Sequence, residues 1–420
     1  MIRIDYSIGK RIRDNLDLIY KKNKISIPDE IANLHYGQRA ENFLEEEFDL
    51  IEELRIDRKT LDYLYLFKNL KSIILDLSDG LTQEELTLLL SKYPNLEKLT
   101  IDGQSKIQSI NLSNNPNISE LTITNNPDLI KIYGLDKLND LYKLSFYNNY
   151  SYRHNKELVL NAIKLAKNIG IIELDVLLYK DVICTMDELG LDSYEKDMLL
   201  TSFKWKEDVG VYTVDSHITY NSREMKQIYT KAMEFIKTNI KDTDTDMEKF
   251  AIIYEWFCEN VKYDDNKKSK INGNNGTYNS IVLNECVCQG YTKGIQFLLK
   301  LVGIYSFDIA CICDDNKLRN NIKSVNGERR LSEGDHSIIK VNLDGKVYYS
   351  DVTWDADNYQ KDRERRYFLL NKEDISTDHK LIGEEETLSY EKSIEKSEFD
   401  RLMRLARIRL KRSETNFKRL

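Results

Sequence analysis

The chain has 420 residues, a formal net charge of −8, 41% hydrophobic residues and 31% charged residues. This length suits two or three domains, and the composition is typical of a soluble globular protein. The acidic balance argues against nucleic-acid binding, and no window approaches the roughly 18 apolar residues that a membrane span requires. Six cysteines are too few for a disulfide framework, and Met1 to Lys10 lacks a signal-peptide core. A cytoplasmic location is expected, or a secreted or surface location if a leader precedes this sequence.

The N-terminal residues 1–60 combine short helical patterns with many charges and are predicted to form a helical cap. The segment from Glu41 to Leu54 has acidic residues interspersed with apolar ones and is predicted to be an amphipathic helix. Neither feature indicates a chemical activity.

One pattern then recurs within residues 61–180, with apolar residues at the first, fourth and sixth positions. Copies begin at Leu96, Ile107, Ile118 and Leu141, and all but the first carry Asn at the ninth position. The pattern resembles the leucine-rich repeat, although the first three copies start only 11 residues apart. We therefore expect an irregular leucine-rich-repeat-like α/β domain with an open strand face that binds protein. An ordinary strand-rich domain with chance periodicity is the alternative.

Residues 181–221 are predicted to link this domain to the next, and Ser222–Lys241 is predicted to be an amphipathic helix. The acidic residues at alternate positions in Asp242–Asp246 suggest either a calcium loop or a helix cap. The glycine and the distal Glu of an EF-hand are not in place, so a cap is the better interpretation. Calcium is therefore possible but not indicated, and no cofactor is expected.

Cys288 precedes a run whose apolar residues have helical spacing up to Gly303. The cysteine is therefore predicted to lie at a helix start, where the positive end of the helix dipole favours a thiolate. Gly290 is predicted to leave room beside the sulfur for a substrate backbone.

His336 opens a predicted strand, and Asp344-Gly345 is a hairpin signal that returns the chain along a second strand, Lys346 to Thr353. A hairpin centred there places His336 and Asp351 nearly opposite each other. The order Cys, His, Asp supplies a nucleophile, its base and the group that orients the base.

These motifs resemble a known family. The Cys-Gln-Gly-Tyr that begins at Cys288, the His that opens one strand and the Asp-Val-Thr-Trp-Asp that begins at Asp351 are similar to those of the transglutaminase-like domains of the papain-like cysteine enzymes. The resemblance covers about residues 247–379 and places the domain at 222–385. It implies an α+β fold with helices and an antiparallel sheet, with Cys288 as nucleophile, His336 as base and Asp351 as orienter.

The resemblance further implies acyl transfer on protein substrates, by transamidation or deamidation of glutamine. A cysteine protease of the same fold and a non-enzymatic protein-binding scaffold are the alternatives. Tyr278 and Gln289 are weak candidates for supporting the oxyanion. Two polar segments, 266–277 and 314–334, are predicted loops bordering the cleft.

Two features have competing explanations. Cys286-x-Cys288 and Cys311-x-Cys313 could together bind zinc, but the usual two-residue spacer is missing, so no metal site is predicted. Residues 386–420 are predicted to form a basic helix, with eight Lys or Arg against one Glu from Arg401 onward. Such a helix could contact an acidic surface, a membrane or nucleic acid, but packing on its own domain is the favoured interpretation. His379, just before this segment, is assigned a structural role.

Overall fold

The computed structural model describes residues 1–76, 80–104, 106–147, 149, 156–167, 170–208, 217–264, 274–313, 322–325, 328–331, 336–382 and 392–417. The chain divides into two compact units, Met1–Lys204 and Trp205–Leu420. The division falls within the predicted linking segment 181–221. Most of the two predicted loops, 266–277 and 314–334, lies outside the described residues.

The first unit combines helices with short strands. Its helices are α1 (Tyr6–Asn23), α2 (Asp29–Ala32), α3 (Tyr36–Arg39), α4 (Glu45–Phe48), α5 (Arg58–Leu61), α6 (Gln83–Lys92), α7 (Lys156–Ala166), α8 (Tyr179–Glu188) and α9 (Ser193–Leu200). Its strands are β1 (Ile2–Arg3), β2 (Asn42–Phe43), β3 (Glu53–Ile56), β4 (Ser72–Asp76), β5 (Lys98–Asp102), β6 (Ser109–Asn111), β7 (Glu120–Thr124), β8 (Lys131–Tyr133), β9 (Lys143–Tyr147) and β10 (Ile171–Asp175).

The repeated pattern forms a coil with strands on two faces. Strands β3, β4, β5, β7, β9 and β10 pair in parallel in that order, and β6 pairs in parallel with β8 in a second sheet. Successive copies of the pattern therefore alternate between the two sheets, which explains their short spacing. One full turn runs from Leu99 to its partner Leu121, within the roughly 20–29 residues of a leucine-rich repeat. Assignment to that family stays a prediction.

Buried amide side chains join consecutive turns of the coil. The amide oxygen of Asn149 accepts from the backbone N–H of Asn126, and that of Asn126 accepts from the backbone N–H of Gln104, each at 3.0 Å. The Asn126 amide nitrogen also donates to the Ile101 carbonyl, and that of Asn149 donates to the Ile123 carbonyl. These bonds satisfy backbone groups where each strand ends, and their Asn residues stand at the ninth position of the repeated pattern.

The prediction of an amphipathic helix from Glu41 to Leu54 is wrong. This segment contains β2, the single turn α4 and the start of β3. Its Glu47 is buried and accepts hydrogen bonds from the guanidinium of Arg13 at 2.5 Å and the hydroxyl of Tyr20 at 2.9 Å. These tertiary contacts, together with the pairing of β2 with β1 and β3 with β4, override the local helical pattern.

The second unit is α+β. Its helices are α10 (Ser222–Asn239), α11 (Asp246–Asn260), α12 (Cys288–Leu301), α13 (Val352–Gln360), α14 (Lys372–Ile375) and α15 (Lys396–Phe417). Its strands are β11 (Phe203–Asp208, which begins at the division), β12 (His217–Tyr220), β13 (Lys262–Tyr263), β14 (Glu285–Cys286), β15 (Ser306–Ile312), β16 (Ile322–Val325), β17 (Glu328–Leu331), β18 (His336–Leu343), β19 (Lys346–Ser350) and β20 (Lys380–Leu381).

An antiparallel sheet and one buried helix form the centre of this unit. The sheet has the order β19-β18-β15-β20, and residues 289–299 of α12 are all buried. The β18–β19 hairpin has the predicted register, with Leu343 opposite Lys346 and Ile339 opposite Ser350. Asp344 and Gly345 make its turn with positive φ angles of 52° and 79°, as Asp-Gly turns do.

The C-terminal helix α15 packs on α11 of its own unit. Its Ala406 and Leu410 form a buried cluster with Ile252. Arg401 pairs with Glu248 at 2.9 Å, and other basic residues of the helix pair with Asp244 and Glu255. The basic face is thus partly neutralised within the unit, in agreement with the favoured interpretation. Among the residues described, no helix is both long and apolar enough to cross a membrane.

Candidate active site

Cys288 is the first residue of α12, as predicted. The preceding Val287 is extended and forms the helix cap, and Cys288 is partly exposed. The hydroxyl of Thr292, one turn into the helix, lies 3.1 Å from the hydroxyl of Ser337 in β18. This buried contact fixes the start of α12 beside the strand that carries His336.

His336 begins β18, opposite Cys311 of β15. Its Nε2 lies 2.7 Å from Oδ2 of Asp351, and the side chain of Cys288 is close enough to raise the pKa of the imidazole. Because Nε2 is engaged by the carboxylate, Nδ1 is the ring nitrogen left to exchange a proton with the sulfur. The structure thus brings together the three residues that the sequence singled out.

Asp351 ends β19 and caps the next helix. Its Oδ1 accepts from the backbone N–H groups of Thr353 at 2.9 Å and Trp354 at 3.1 Å. The predicted strand Lys346–Thr353 therefore ends early, at Ser350, because the aspartate turns the chain into α13. One carboxylate oxygen holds the helix start, and the other remains for the imidazole.

Burial and charge act in opposite directions on this pair. Burial alone would lower the pKa of His336, but the carboxylate of Asp351 and the thiol of Cys288 raise it well above its usual value. Burial alone would raise the pKa of Asp351, whereas His336 and His379 hold it below its usual range. The pair therefore favours an imidazolium beside a carboxylate.

His379 is a site residue whose position the sequence did not reveal. It is fully buried, with its Nε2 3.0 Å from Oδ2 of Asp351 and its Nδ1 2.5 Å from Oδ1 of Asp378. Burial alone would lower the pKa of His379, but Asp351 and the thiol of Cys313 raise it to about 10. The signal available in the sequence was that the family resemblance extends up to this histidine.

An aromatic side chain covers the two imidazoles. The Trp354 ring is stacked on the His336 ring, with a centroid distance of 5.5 Å, and lies 4.6 Å from the His379 ring. Trp354 follows the capping residue Asp351 in the same helix start, so one local turn positions both the carboxylate and the apolar cover.

The sequence suggested oxyanion support from Tyr278 and Gln289 and room for substrate at Gly290. The Tyr278 hydroxyl donates to Oε1 of Gln227 at 2.8 Å, so it is engaged elsewhere. Gln289 is buried, and its Nε2 has no hydrogen-bond partner among the described residues. Gly290 does not provide substrate space, because a Cβ there would meet the Cys286 side chain at 2.5 Å.

The other cysteines differ strongly in their surroundings. Burial raises the pKa of Cys258 and Cys286 well above the usual value for a thiol. In contrast, hydrogen bonds from Cys311 and His379 lower the pKa of Cys313 to about 6 despite partial burial. Cys184 is exposed, in the first unit. Cys288 is thus the partly exposed thiol that pairs with His336.

Comparisons with known proteins show that this chain has only distant similarity to two solved structures. No family model matches the chain, and no curated protein matches it. One solved structure, of a candidate cysteine protease from Cytophaga hutchinsonii, matches at 12% identity with a TM-score of 0.22, over 32% of this chain and 43% of that one. A second, described as a TGase, matches at 13% identity with a TM-score of 0.19, over 53% of this chain and 65% of that one. The chain spans less than two thirds of the length of either structure.

Proposed function

We propose that the second unit is a cysteine-dependent acyltransferase or hydrolase that acts on protein or peptide substrates. The observation that carries the proposal is the placement of Cys288 at the start of α12 near His336, whose Nε2 lies 2.7 Å from Oδ2 of Asp351. A thiolate, an imidazolium and an orienting carboxylate in this order are what nucleophilic acyl transfer requires.

The proposed reaction begins at a side-chain amide of glutamine. The Cys288 sulfur attacks the amide carbon, and its electron pair forms the C–S bond. The C–N bond then breaks, and ammonia leaves with the proton that His336 donates, which gives a thioester. An amine or a water molecule next attacks the thioester, His336 takes up its proton, and the C–S bond breaks to return the thiolate. The backbone N–H groups at the start of α12 are the groups available to stabilise the oxyanion.

Transamidation or deamidation of glutamine is proposed first because the motifs around Cys288 and Asp351 resemble those of transglutaminase-like domains. Cleavage of a peptide bond proceeds through the same acyl-enzyme and is the second candidate. A non-enzymatic scaffold is the third, and the pairing of His336 with both Cys288 and Asp351 weighs against it.

The test is an assay of the full chain with a glutamine-containing peptide and methylamine. Ammonia release without incorporation indicates deamidation, a gain of methylamine indicates transamidation, and peptide fragments indicate proteolysis. We expect Cys288→Ala to abolish whichever reaction is seen and Cys184→Ala, at an exposed cysteine of the first unit, to leave it intact. Activity that survives Cys288→Ala would overturn the proposal, and a fully inert chain with unreactive Cys288 would favour the scaffold.

We further propose that the open face of the coiled repeats binds the protein substrate. Thr100 and Thr122 are register partners in β5 and β7 and are half-buried, whereas their neighbours Leu99 and Leu121 lie in the core. A face of this kind, rigid and polar, is suited to contacts with another protein. Thr122→Arg should weaken action on a protein substrate and spare action on a short peptide, which is measured as kcat/KM for each. If the Thr122→Arg variant keeps the wild-type kcat/KM with the protein substrate as well as with the short peptide, the face does not bind the substrate.

A cytoplasmic location is also proposed. It suits a reaction that needs a free thiol, because reducing compartments keep cysteines unpaired. Fractionation of the source cells with an antibody to this chain tests it, and recovery outside the cell would contradict it.

A further inference from the structure

Cys311 and Cys313 lie side by side at the end of β15. Their sulfur atoms are 3.9 Å apart, which follows from residues two apart in a strand pointing to the same face. Cys311 is fully buried and Cys313 is partly exposed, so the pair is fixed on one side and reachable on the other. A ring nitrogen of His379 completes a group whose three ligand atoms all lie within 4.8 Å of one another.

The separation of the two sulfur atoms matches that of metal ligands. Zinc binds thiolate sulfur at about 2.3 Å in a tetrahedral arrangement, so two such sulfurs are about 3.8 Å apart. A disulfide would instead require the sulfurs to approach to about 2.05 Å. The observed sulfur-to-sulfur distance of 3.9 Å thus accommodates a metal ion without movement of the strand. A disulfide would instead require the two sulfur atoms to move closer by nearly half that distance.

The surroundings of His379 also suit a metal ligand. Metal-bound histidines usually donate their second ring N–H to a carboxylate, which fixes the tautomer. Nε2 of His379 lies 3.0 Å from Oδ2 of Asp351 and keeps that hydrogen bond, so Nδ1 would exchange its present hydrogen bond to Oδ1 of Asp378 for the metal. The carboxylate of Asp378 lies beside Nδ1, and its other oxygen accepts from the Tyr367 hydroxyl at 2.8 Å.

We propose that Cys311, Cys313 and His379 form a binding site for a thiolate-seeking divalent metal ion of the zinc class. Water or Asp378 fills the fourth position, since three protein ligands and one open position are a common zinc arrangement. This set differs from the four-cysteine set weighed in the sequence, because Cys286 and Cys288 take no part. It also stands independently of the proposed acyl transfer, since Cys288 is not a ligand.

The test uses the full chain, reduced and freed of metal by a chelator. Cobalt(II) is added first, because thiolate ligation gives a sulfur-to-cobalt charge-transfer absorption, and zinc affinity is then measured by displacement of the cobalt. Wild type should bind one equivalent with thiolate absorption. Cys313→Ser and His379→Ala should each weaken zinc binding by more than about tenfold. Circular dichroism of each variant shows whether it is folded, and Cys313→Ser is the safer change because Cys313 is partly exposed.

Two control variants locate the metal. Cys184→Ser and Cys288→Ala should both keep the cobalt absorption and the zinc affinity of wild type. Loss of the absorption in Cys288→Ala with retention in Cys313→Ser would place the metal at the candidate nucleophile and overturn the proposal. Absence of cobalt binding, together with a Cys311–Cys313 disulfide after peroxide treatment, would overturn it in favour of a redox pair.

Discussion

His336 and His379 direct their Nε2 atoms at the same oxygen, Oδ2 of Asp351, at 2.7 and 3.0 Å. The carboxylate that orients the candidate base is therefore itself held by a second imidazole. Its remaining oxygen caps α13 through two backbone N–H groups. The position of His336 thus depends on more than the β18–β19 hairpin. It also depends on His379, just before β20, and on the start of α13, because both hold Asp351.

The first prediction concerns His379 as a positioning residue. His379→Ala should lower kcat about ten- to hundredfold with KM unchanged, because a hydrogen bond to a charged group contributes about 1.5–3 kcal/mol and about 1.4 kcal/mol corresponds to a factor of ten. His379→Gln can still donate to Asp351 and should recover part of that loss. Kinetics with a short acyl donor in the presence of a chelator measure both. Equal loss in both variants would indicate general disruption instead of lost positioning.

The second prediction separates the two tasks of Asp351. Asp351→Asn retains an acceptor for Thr353 and Trp354 but loses the anion, so activity should fall by roughly 10⁴-fold, as in other triads. Asp351→Ala should lose as much activity and, in addition, about 1 kcal/mol of stability from the lost helix cap. Urea unfolding monitored by tryptophan fluorescence compares the two variants. Equal stabilities would mean that the cap contributes little.

The parts of the site that the sequence revealed are the local ones. Asp344-Gly345 specifies the hairpin register through its turn geometry, and the apolar spacing after Cys288 specifies the helix start. Both depend on residues within a few positions of each other, so single-sequence reasoning reaches them.

The parts that it did not reveal depend on distant partners. His379 reaches Asp351 across 28 positions, by way of β20 pairing with β15, and nothing in its local sequence separates it from a buried structural histidine. Glu47 is likewise drawn out of a helical pattern by Arg13, 34 positions away. In both places tertiary contacts decide the outcome over local preference.

The third prediction tests the packing behind Cys288. A Cβ at Gly290 would lie 2.5 Å from Cβ and 2.8 Å from Sγ of Cys286, so Gly290→Ala should destabilise the second unit by about 1–3 kcal/mol. The double variant Cys286→Gly, Gly290→Ala removes both close contacts and should lose less than the sum of the single changes. Urea midpoints of the three variants provide the measurement. Strict additivity would show that Cys286 is not the obstacle.

The last prediction concerns Glu207, which holds the segment that leads to the π-helical turn Tyr278–Leu283. Its carboxylate is buried and accepts from the Tyr220 hydroxyl at 2.7 Å, from the Thr277 backbone N–H at 2.8 Å and from the Thr277 hydroxyl. Burial raises the pKa of Glu207 above its usual value, although these donors and the charge of Lys293 oppose the shift.

A raised pKa means that the folded state holds this proton more tightly than the unfolded state does. The resulting stabilisation is fully present below the unfolded pKa of about 4.5 and is lost as the pH rises through the folded value. Glu207→Gln cannot titrate, keeps an acceptor for Tyr220 and the backbone N–H, and can donate to the Thr277 hydroxyl. The stability of this variant relative to wild type should therefore increase as the pH rises above about 4.5.

Urea unfolding from pH 4 to pH 8 tests this. The three tryptophans, Trp205, Trp256 and Trp354, all lie in the second unit, so their fluorescence reports on the unit that contains Glu207. Lys346→Ala, at an exposed lysine of the hairpin, serves as a control that should keep the pH dependence of wild type. If the difference between Glu207→Gln and wild type stays constant over this range, the carboxyl does not titrate there in the folded state. A difference that falls with rising pH would mean that the three donors and Lys293 outweigh burial and that the pKa is lowered instead.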